Sequence, residues 1–299
     1  MNKTLIVLGG PTGSGKTKLA IKLAQKLKSE ILSADSRQFY KELNIGVAKP
    51  TKEELDTIPH HFISHLSITT PYSVGEYEKD ALNLLEKLFK KYNYIMMCGG
   101  SGLYIEAVTN GLNKFPKIDQ KIKEELGDEL NKSGLVSLSE ELKKIDIETY
   151  KKIDKKNPRR IIRALEVYRS SGKPYSFFKN QKIKTRNFKT IFLKLDLPRN
   201  NLYNLINERV DNMLTNGLIE EAKNIYKYKK YQPMQTIGYQ ELFKYFEKKC
   251  SLDEAITEIK KNSRRYAKRQ ITWFKKSKYH AIDPDKENTI IDFIKNQDE

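Results

Sequence analysis

The sequence predicts an α/β fold, in which a parallel sheet core is interrupted by an all-helical insertion and followed by a helical C-terminal region. First, the apolar run Thr4–Leu8 leads directly into a glycine-rich loop and then into apolar residues at helical spacing. Second, the apolar runs Glu30–Ala34 and Tyr92–Cys98 also end in polar or glycine-rich segments. Third, residues 115–187 are polar, lysine-rich and helical in period, and a strand resumes only at Lys189.

A phosphate-binding loop is predicted directly after the first strand, where the pattern G-x-x-x-x-G-K-T runs from Gly10 to Thr17. Glycines let the backbone curl so that several N–H groups point at one anion, and the following helix adds the positive end of its dipole. Lys16 brings a positive charge next to the outer phosphate, and the Thr17 hydroxyl can hold Mg²⁺. The pattern predicts a P-loop NTPase-like core that binds a diphosphate or triphosphate, without identifying ATP. The predicted binding residues are Gly10, Pro11, Thr12, Gly13, Ser14, Gly15, Lys16 and Thr17.

Polar residues that follow the second and third strands are further site candidates. The segment Asp35–Gln38 comes after the second strand and, in a parallel sheet, lies at the same edge as the phosphate loop. Asp35 is therefore a candidate catalytic carboxylate, although Asp also commonly caps a helix or a turn. Ser101 lies in the turn after the third strand, where it is either a site hydroxyl or a helix cap. No acidic residue ends that strand, which argues against an ATPase.

Composition bounds the size and the partners of the protein. A hydrophobic fraction of 38% in 299 residues supports a real core and one large or two modest domains. We expect one domain at residues 1–114 with 188–299, and a second at 115–187. The formal net charge of +18 favours a polyanionic partner such as nucleic acid, although a generally lysine-rich composition would also produce it.

Several classes of protein are disfavoured by what the sequence lacks. Cys98 and Cys250 form neither a disulfide framework nor a metal-binding pair, so a reducing cytoplasm is expected. No apolar run approaches the ~18 residues that span a bilayer, and we expect no signal peptide, because the chain leads directly into a strand. Residues 41–72 contain three prolines and are expected to have little regular structure. The pair His60-His61 within them has no evident third ligand, so no metal site is predicted.

One helix of the insertion carries an unusual arginine cluster. Asn157 is a plausible N-cap, Pro158 suits the first helical position and Gly172 closes the helix. Ile161 and Ile162 contribute to its apolar side. The guanidinium groups of the cluster match phosphate geometry, which predicts contact with an RNA backbone or a diphosphate; the alternative is a solvated face. The cluster comprises Arg159, Arg160 and Arg163.

The last long helix combines basic and aromatic residues. It begins with a capping box formed by Ser251 and Glu254, and Trp273 lies near its end. Such a surface suits a polyanion groove, although an exposed helix in a lysine-rich protein has similar composition. The basic stripe consists of Lys260, Lys261, Arg264, Arg265, Lys268 and Arg269.

Several separate segments between about residues 4 and 275 resemble the bacterial tRNA dimethylallyltransferases and follow one another in the family's order. They are GGPTGSGKT, SADSRQFY, CGGSGLY, NPRRIIRALEVY, TIGYQEL and RRYAKRQITWF. The family transfers a dimethylallyl group from dimethylallyl diphosphate to N6 of the adenosine next to the anticodon in tRNA. The resemblance implies a P-loop core with a helical insertion that contacts the anticodon stem-loop. This chain departs from the family where Ser101 replaces the common Thr and where Arg159-Arg160 replaces Gln-Arg.

The resemblance also implies roles for particular residues. Asp35 would be the general base for the N6 proton, and Ser101 and Lys16 would assist the departing diphosphate, with Mg²⁺ held by Thr17. The implied tRNA-binding residues are Asp35, Ser36, Arg37, Gln38, Ser101, Arg159, Arg160, Ile161, Ile162 and Arg163. A monomer in the cytoplasm is expected, with no membrane and no obligate protein partner. A small-molecule kinase, a prenyltransferase acting on free adenine nucleotides and a nucleic-acid-binding NTPase remain alternatives.

Overall fold

A six-stranded, wholly parallel sheet forms the centre of the larger part of the protein. The computed structural model describes residues 3–179, 185–195, 197–276 and 278–297. The spatial order of the strands is β3-β2-β4-β1-β5-β6. In chain order the strands are β1 Thr4–Gly9, β2 Ile31–Ser33, β3 His60–His61, β4 Tyr94–Gly99, β5 Lys189–Leu195 and β6 His280–Ile282.

Helices cover both faces of this sheet, which explains why its strands are apolar throughout. Along β1, Leu5 and Val7 face one core, whereas Ile6 and Leu8 face the other. The helices are α1 Lys16–Lys26, α2 Lys52–Thr57, α3 Val74–Leu88, α4 Gly102–Asn110, α5 Gln120–Ile145, α6 Ile147–Lys152, α7 Pro158–Ser171, α8 Tyr175–Lys179, α9 Arg199–Thr215, α10 Leu218–Ile225, α11 Tyr239–Phe246, α12 Leu252–Phe274 and α13 Glu287–Asn296. In the described part of the chain, no helix has the length and apolar character that crossing a membrane requires.

The chain divides into two compact units, of which the first comprises residues 1–110 with 186–299 and the second residues 111–185. The second unit is helical in its described part and has its own core, built around Leu126, Leu142 and Leu165. Its helix α7 has the predicted caps: the Asn157 side chain accepts from the Arg160 N–H, and Gly172 is left-handed. Residues 180–184 of the expected insertion lie outside the described residues.

The structure corrects the prediction at two places. Residues 41–72 are not entirely irregular, because they contain α2, a 3₁₀ turn at Ile45–Val47 and the short strand β3. The two histidines of β3 pair with β2 at Ile31 and Leu32, so they lie in a strand of the sheet. After α12 the chain is also not purely helical, because β6 joins β5 at the sheet edge. Strands of two or three residues are too short to show a period of two.

A partly buried ion pair anchors the chain where it re-enters the first unit. The Arg186 guanidinium lies 2.8 Å from the Glu78 carboxylate, and these side chains are only 10% and 11% exposed. The same guanidinium donates to the carbonyl oxygens of Ala107 and Val108, at the C-terminal end of α4. Arg186 therefore satisfies carbonyls that the helix leaves without an internal partner.

We expect Arg186→Ala to destabilise the first unit by about 3–5 kcal/mol, because it removes one partner of a buried charge pair. Urea unfolding followed through Trp273, the only tryptophan, reports this unit. Lys286→Ala is a matched control, since it removes an exposed pair with Asp283 that should contribute at most about 1 kcal/mol. Equal losses of stability in the two variants would contradict the structural role of Arg186.

Candidate active site

The phosphate loop connects β1 to α1, as the sequence predicts. Gly15 caps the helix at φ 81°, a left-handed conformation that glycine adopts without strain. The Ser14 hydroxyl donates to the Pro11 carbonyl oxygen at 2.8 Å, and Lys16 Nζ donates to the same oxygen at 2.5 Å. Two side chains thus cross the loop and hold it in a compact form.

Lys16 is buried, with an exposed fraction of 9%. Burial lowers the pKa of its ammonium to about 8; the Arg209 charge adds to this, and the Asp35 carboxylate opposes it. A buried ammonium whose protein partners are a carbonyl and a hydroxyl gains stability from an anion brought beside it. This is the charge environment that a phosphate site requires.

Asp35 follows β2 at the C-terminal edge of the sheet. Its Oδ1 accepts a hydrogen bond of 2.9 Å from the Arg37 N–H, which fixes the carboxylate in a local turn. Asp35 therefore does stabilise a turn, as one interpretation of the sequence predicts, but it uses only Oδ1 to do so. No described residue donates a hydrogen bond to Oδ2, so this oxygen is available to a bound substrate.

Ser101 joins the Asp35 turn to the turn that follows β4. Its N–H donates to the Ala34 carbonyl oxygen at 3.1 Å, and its Oγ accepts from the Ser36 N–H at 3.2 Å. Burial raises the pKa of the Tyr266 phenol to about 12, and the Asp35 charge adds to this rise. Ser101 therefore links the turn after β2 to the turn after β4.

Gln270 is a site residue that the sequence reasoning did not single out. Its Oε1 accepts from the Thr12 N–H at 2.9 Å, and its Nε2 donates to the Gly100 carbonyl oxygen at 2.9 Å. A Cβ at Gly100 would lie 2.2 Å from that amide nitrogen, so any larger residue there would displace the amide. Through this amide, helix α12 links the phosphate loop to the β4 turn.

Two cavities meet at the candidate base. The smaller, of about 80 Å³, contains the phosphate-loop residues Lys16 and Thr17. The larger, of about 270 Å³, has apolar walls that include Ile206, Val210 and Ile259. Four residues line both cavities: Thr12, Asp35, Arg209 and Tyr266. One cavity can therefore hold a phosphate group and the other a flat ring, with Asp35 between them.

Arg209 is a second functional candidate that the sequence reasoning missed. It lies on α9, and burial lowers the pKa of its guanidinium, against the influence of the Asp35 carboxylate. Its charge therefore faces the same space as Lys16. No local sequence pattern marks it, because the surrounding helix is ordinary and the contact is long-range.

The residues after Asp35 have different environments. Ser36 and Arg37 line the larger cavity, where they can meet a substrate. The Gln38 amide is used within the protein: its Nε2 donates to the Ala48 carbonyl oxygen, and its Oε1 accepts from the Ser33 hydroxyl, each at 3.0 Å. Gln38 lines the smaller cavity, but its polar atoms primarily support the neighbouring backbone.

The arginine cluster of the second unit forms a mixed surface. Arg159 and Arg160 are exposed, whereas Arg163 is half-buried and donates to Glu166 at 3.0 Å. Ile161 is completely buried in the core of this unit, so its side chain cannot contact RNA directly. Contact of Ile161 with tRNA stays a prediction for its backbone only, because the apolar side of an amphipathic helix faces the core. Ile162 is only partly buried.

The described protein groups that could hold a metal ion in this site are few, and substrate phosphates would have to supply the remaining ligands. In the described ranges, no group of three or more His, Cys, Asp or Glu side chains is placed to hold a metal ion. The Thr17 hydroxyl nevertheless lines the phosphate-loop cavity. A hydroxyl at this place in a phosphate loop fits Mg²⁺, which usually retains waters and binds substrate phosphates together with one or two protein groups.

Comparison with known proteins gives one consistent answer. Residues 38–277 match the sequence model described as IPP transferase. The tRNA dimethylallyltransferase of Christiangramia forsetii is 49% identical over 300 residues, which cover 99% of each chain. The full-length tRNA isopentenylpyrophosphate transferase of Bacillus halodurans aligns with a TM-score of 0.73 at 36% identity, covering 98% of this chain and 96% of that one. A eukaryotic dimethylallyltransferase acting on tRNA aligns with a TM-score of 0.79 at 30% identity, covering 94% and 74%.

Proposed function

The chain belongs to the IPP transferase family, and from this premise we propose that it modifies tRNA. It is an enzyme that transfers a dimethylallyl group from dimethylallyl diphosphate to N6 of the adenosine next to the anticodon. The observation that carries the proposal is the position of Asp35 on the wall of both cavities, one of which contains the phosphate loop. A donor diphosphate and an acceptor base can thus meet at a single carboxylate.

The chemical step requires one bond to form and one to break. The N6 nitrogen attacks C1 of the allylic donor, the C1–oxygen bond breaks, and diphosphate leaves with the bonding electrons. The N6 proton passes to Asp35, which acts as general base. Its Oδ1 stays tied to the Arg37 N–H, so the carboxylate keeps its orientation while Oδ2 faces the amine. No water has to be activated, because the donor carries its own leaving group.

Charge on the departing diphosphate is stabilised by the loop and by two buried cations. Lys16 and Arg209 both face the small cavity, where burial makes their fields stronger than in water. Ser101 holds the turn that carries Asp35, because its Oγ accepts from the Ser36 N–H, and in this proposal its hydroxyl turns to donate to a diphosphate oxygen. Thr17 would hold Mg²⁺, which supplies additional positive charge to the diphosphate oxygens. Gln270 accepts a hydrogen bond from the Thr12 N–H and so holds this part of the phosphate loop in place.

The acceptor adenosine has to leave its stack to enter this site. The apolar walls of the larger cavity suit a base, and Ser36 and Arg37 lie at its polar side. The anticodon stem-loop then contacts the second unit through its arginine cluster. Because the substrate is unmodified tRNA, the proposed site of action is the cytoplasm.

We expect the variant Arg159→Ala/Arg160→Ala to weaken RNA binding by a salt-dependent amount. The slope of log K against log salt should fall by about 0.7 to 0.9 for each phosphate that the variant no longer neutralises. Arg163→Ala should change the slope less, because Arg163 is already paired with Glu166. The measurement is tRNA binding over a salt series, with Lys151→Ala/Lys152→Ala as a control of equal charge loss. An unchanged slope in the Arg159/Arg160 variant would show that these arginines do not contact RNA phosphates and only face solvent.

A transfer assay separates the proposed activity from its rivals. The protein is incubated with labelled dimethylallyl diphosphate and either unmodified tRNA or free adenine nucleotides, and ATP hydrolysis is followed in parallel. Label in the tRNA alone is the expected result. Label only in free nucleotides would support the nucleotide prenyltransferase, and rapid ATP turnover without transfer would support an NTPase or a kinase.

A further inference from the structure

A short surface segment alternates aromatic and basic residues beside the larger cavity. It begins in the 3₁₀ turn Tyr226–Tyr228 and ends just before the next one, Gln232–Met234. We call it the 226–231 ridge. Its residues are Tyr226, Lys227, Tyr228, Lys229, Lys230 and Tyr231.

The inner side of the ridge is firmly anchored. The Tyr226 ring packs edge-on against Phe243 at 5.3 Å, and its hydroxyl donates to the Glu247 carboxylate at 3.1 Å. Lys229 Nζ donates to both that hydroxyl and that carboxylate at 2.8 Å. These interactions account for two of the six residues and fix the backbone of the ridge, so its outer side chains are held on a rigid base.

The outer side chains of the ridge form no hydrogen bond or ion pair with any described residue, and Lys227 Nζ lies 5.1 Å from the centre of the Tyr228 ring. Tyr231 is 43% exposed, and its ring lies 6.0 Å from that of Tyr228. Lys227 and Lys230 are exposed, and neither forms a salt bridge with any described residue, whereas Lys229 does. Exposed aromatic rings between such cations are suited to unstacked bases and their phosphates.

The ridge leads directly into the wall of the larger cavity. Gln232, the next residue, accepts a hydrogen bond of 3.4 Å from Arg37, which itself lines that cavity. Gln235, Thr236, Ile237 and Gly238 then form part of the cavity wall together with Asp35. A nucleotide whose base enters this cavity therefore has its chain neighbours close to the ridge.

We propose that the 226–231 ridge binds the nucleotide adjacent to the target adenosine, with its base stacked on Tyr231 and the flanking phosphates near Lys227 and Lys230. The inference rests on the proposed function, because it assumes that the target base occupies the larger cavity. Stacking on Tyr231 replaces the base stacking that the neighbour gives up when the adenosine leaves the stack. The ridge is thus a positioning surface that lowers KM for RNA without taking part in the chemical step.

The test uses an anticodon stem-loop RNA that carries 2-aminopurine on either side of the target adenosine. Stacking on an aromatic ring quenches 2-aminopurine fluorescence, so binding to the unaltered protein should quench one of the two positions. Tyr231→Phe should preserve this quenching, whereas Tyr231→Ala should abolish it and raise KM for the RNA about 10-fold. The kcat at saturating RNA should remain unchanged in both variants.

A second arm tests the lysines against a matched pair elsewhere in the first unit. Lys227→Ala/Lys230→Ala should lower the salt slope of RNA binding by about 0.7 to 0.9 for each phosphate that is no longer neutralised. Lys87→Ala/Lys90→Ala has the same spacing and charge loss and should leave the slope unchanged. If Tyr231→Ala shows normal transfer and the same quenching as the unaltered protein, the ridge does not bind the neighbouring nucleotide, while the proposed function still holds. Absence of transfer to any RNA by the unaltered protein would defeat the proposed function itself.

Discussion

Asp35→Asn is expected to slow the transfer step by about 10² to 10⁴, the range that general base catalysis typically supplies. The amide keeps the size of the side chain and can still accept from the Arg37 N–H through its oxygen. It cannot take a proton at neutral pH, so the variant removes the base and preserves the turn. Single-turnover transfer with saturating tRNA and dimethylallyl diphosphate isolates chemistry from binding.

The control for this prediction is Asp80→Asn, which alters a carboxylate hydrogen-bonded to Tyr72 outside both cavities. Its transfer rate should remain near that of the unaltered protein. A near-normal rate in Asp35→Asn, together with normal binding of both substrates, would leave Asp35 as a turn residue only. The base would then have to be another group near the two cavities.

Lys16→Ala should reduce transfer by about 10² to 10³, as expected when one preorganised donor to a developing negative charge is removed. Part of this loss should appear as weaker binding of inorganic diphosphate, which can be measured by calorimetry without turnover. Lys18→Ala is the matched control, because it removes a more accessible lysine from the same helix. Equal effects of the two substitutions would contradict a specific role for Lys16.

The lowered pKa of Lys16 gives this experiment a second readout. Diphosphate favours the charged ammonium, so its affinity should fall as pH rises through about 8, where the free protein loses this proton. The dependence should disappear in Lys16→Ala. Its persistence in that variant would assign the titration to another group.

The parts of the site predicted from sequence are those with a local signature. The phosphate loop could be found because strand, glycines, lysine and helix lie within a short stretch of chain. Asp35 and Ser101 could be placed because parallel strands bring their C-terminal ends to one edge of the sheet. Each of these predictions required only the order of elements and not their packing.

Gln270 and Arg209 were missed for the opposite reason. Gln270 lies 258 residues after Thr12 in the chain, although its amide accepts from that residue's N–H. It is part of the segment Arg264–Phe274 that carries the family resemblance, but only the basic and aromatic residues there had an assigned use. Similarly, Ile161 was included with its arginine neighbours, although its helical position places it in the core.

The most direct test of the account is the fate of a single amino group. An unmodified tRNA is compared with the same tRNA in which the adenosine next to the anticodon is replaced by purine riboside, which lacks the N6 amine. After incubation with labelled dimethylallyl diphosphate, the RNA is digested and its nucleosides are separated. We predict label in N6-dimethylallyladenosine from the first RNA and none from the second. Equal labelling of both RNAs, or label in any other nucleoside, would contradict the account.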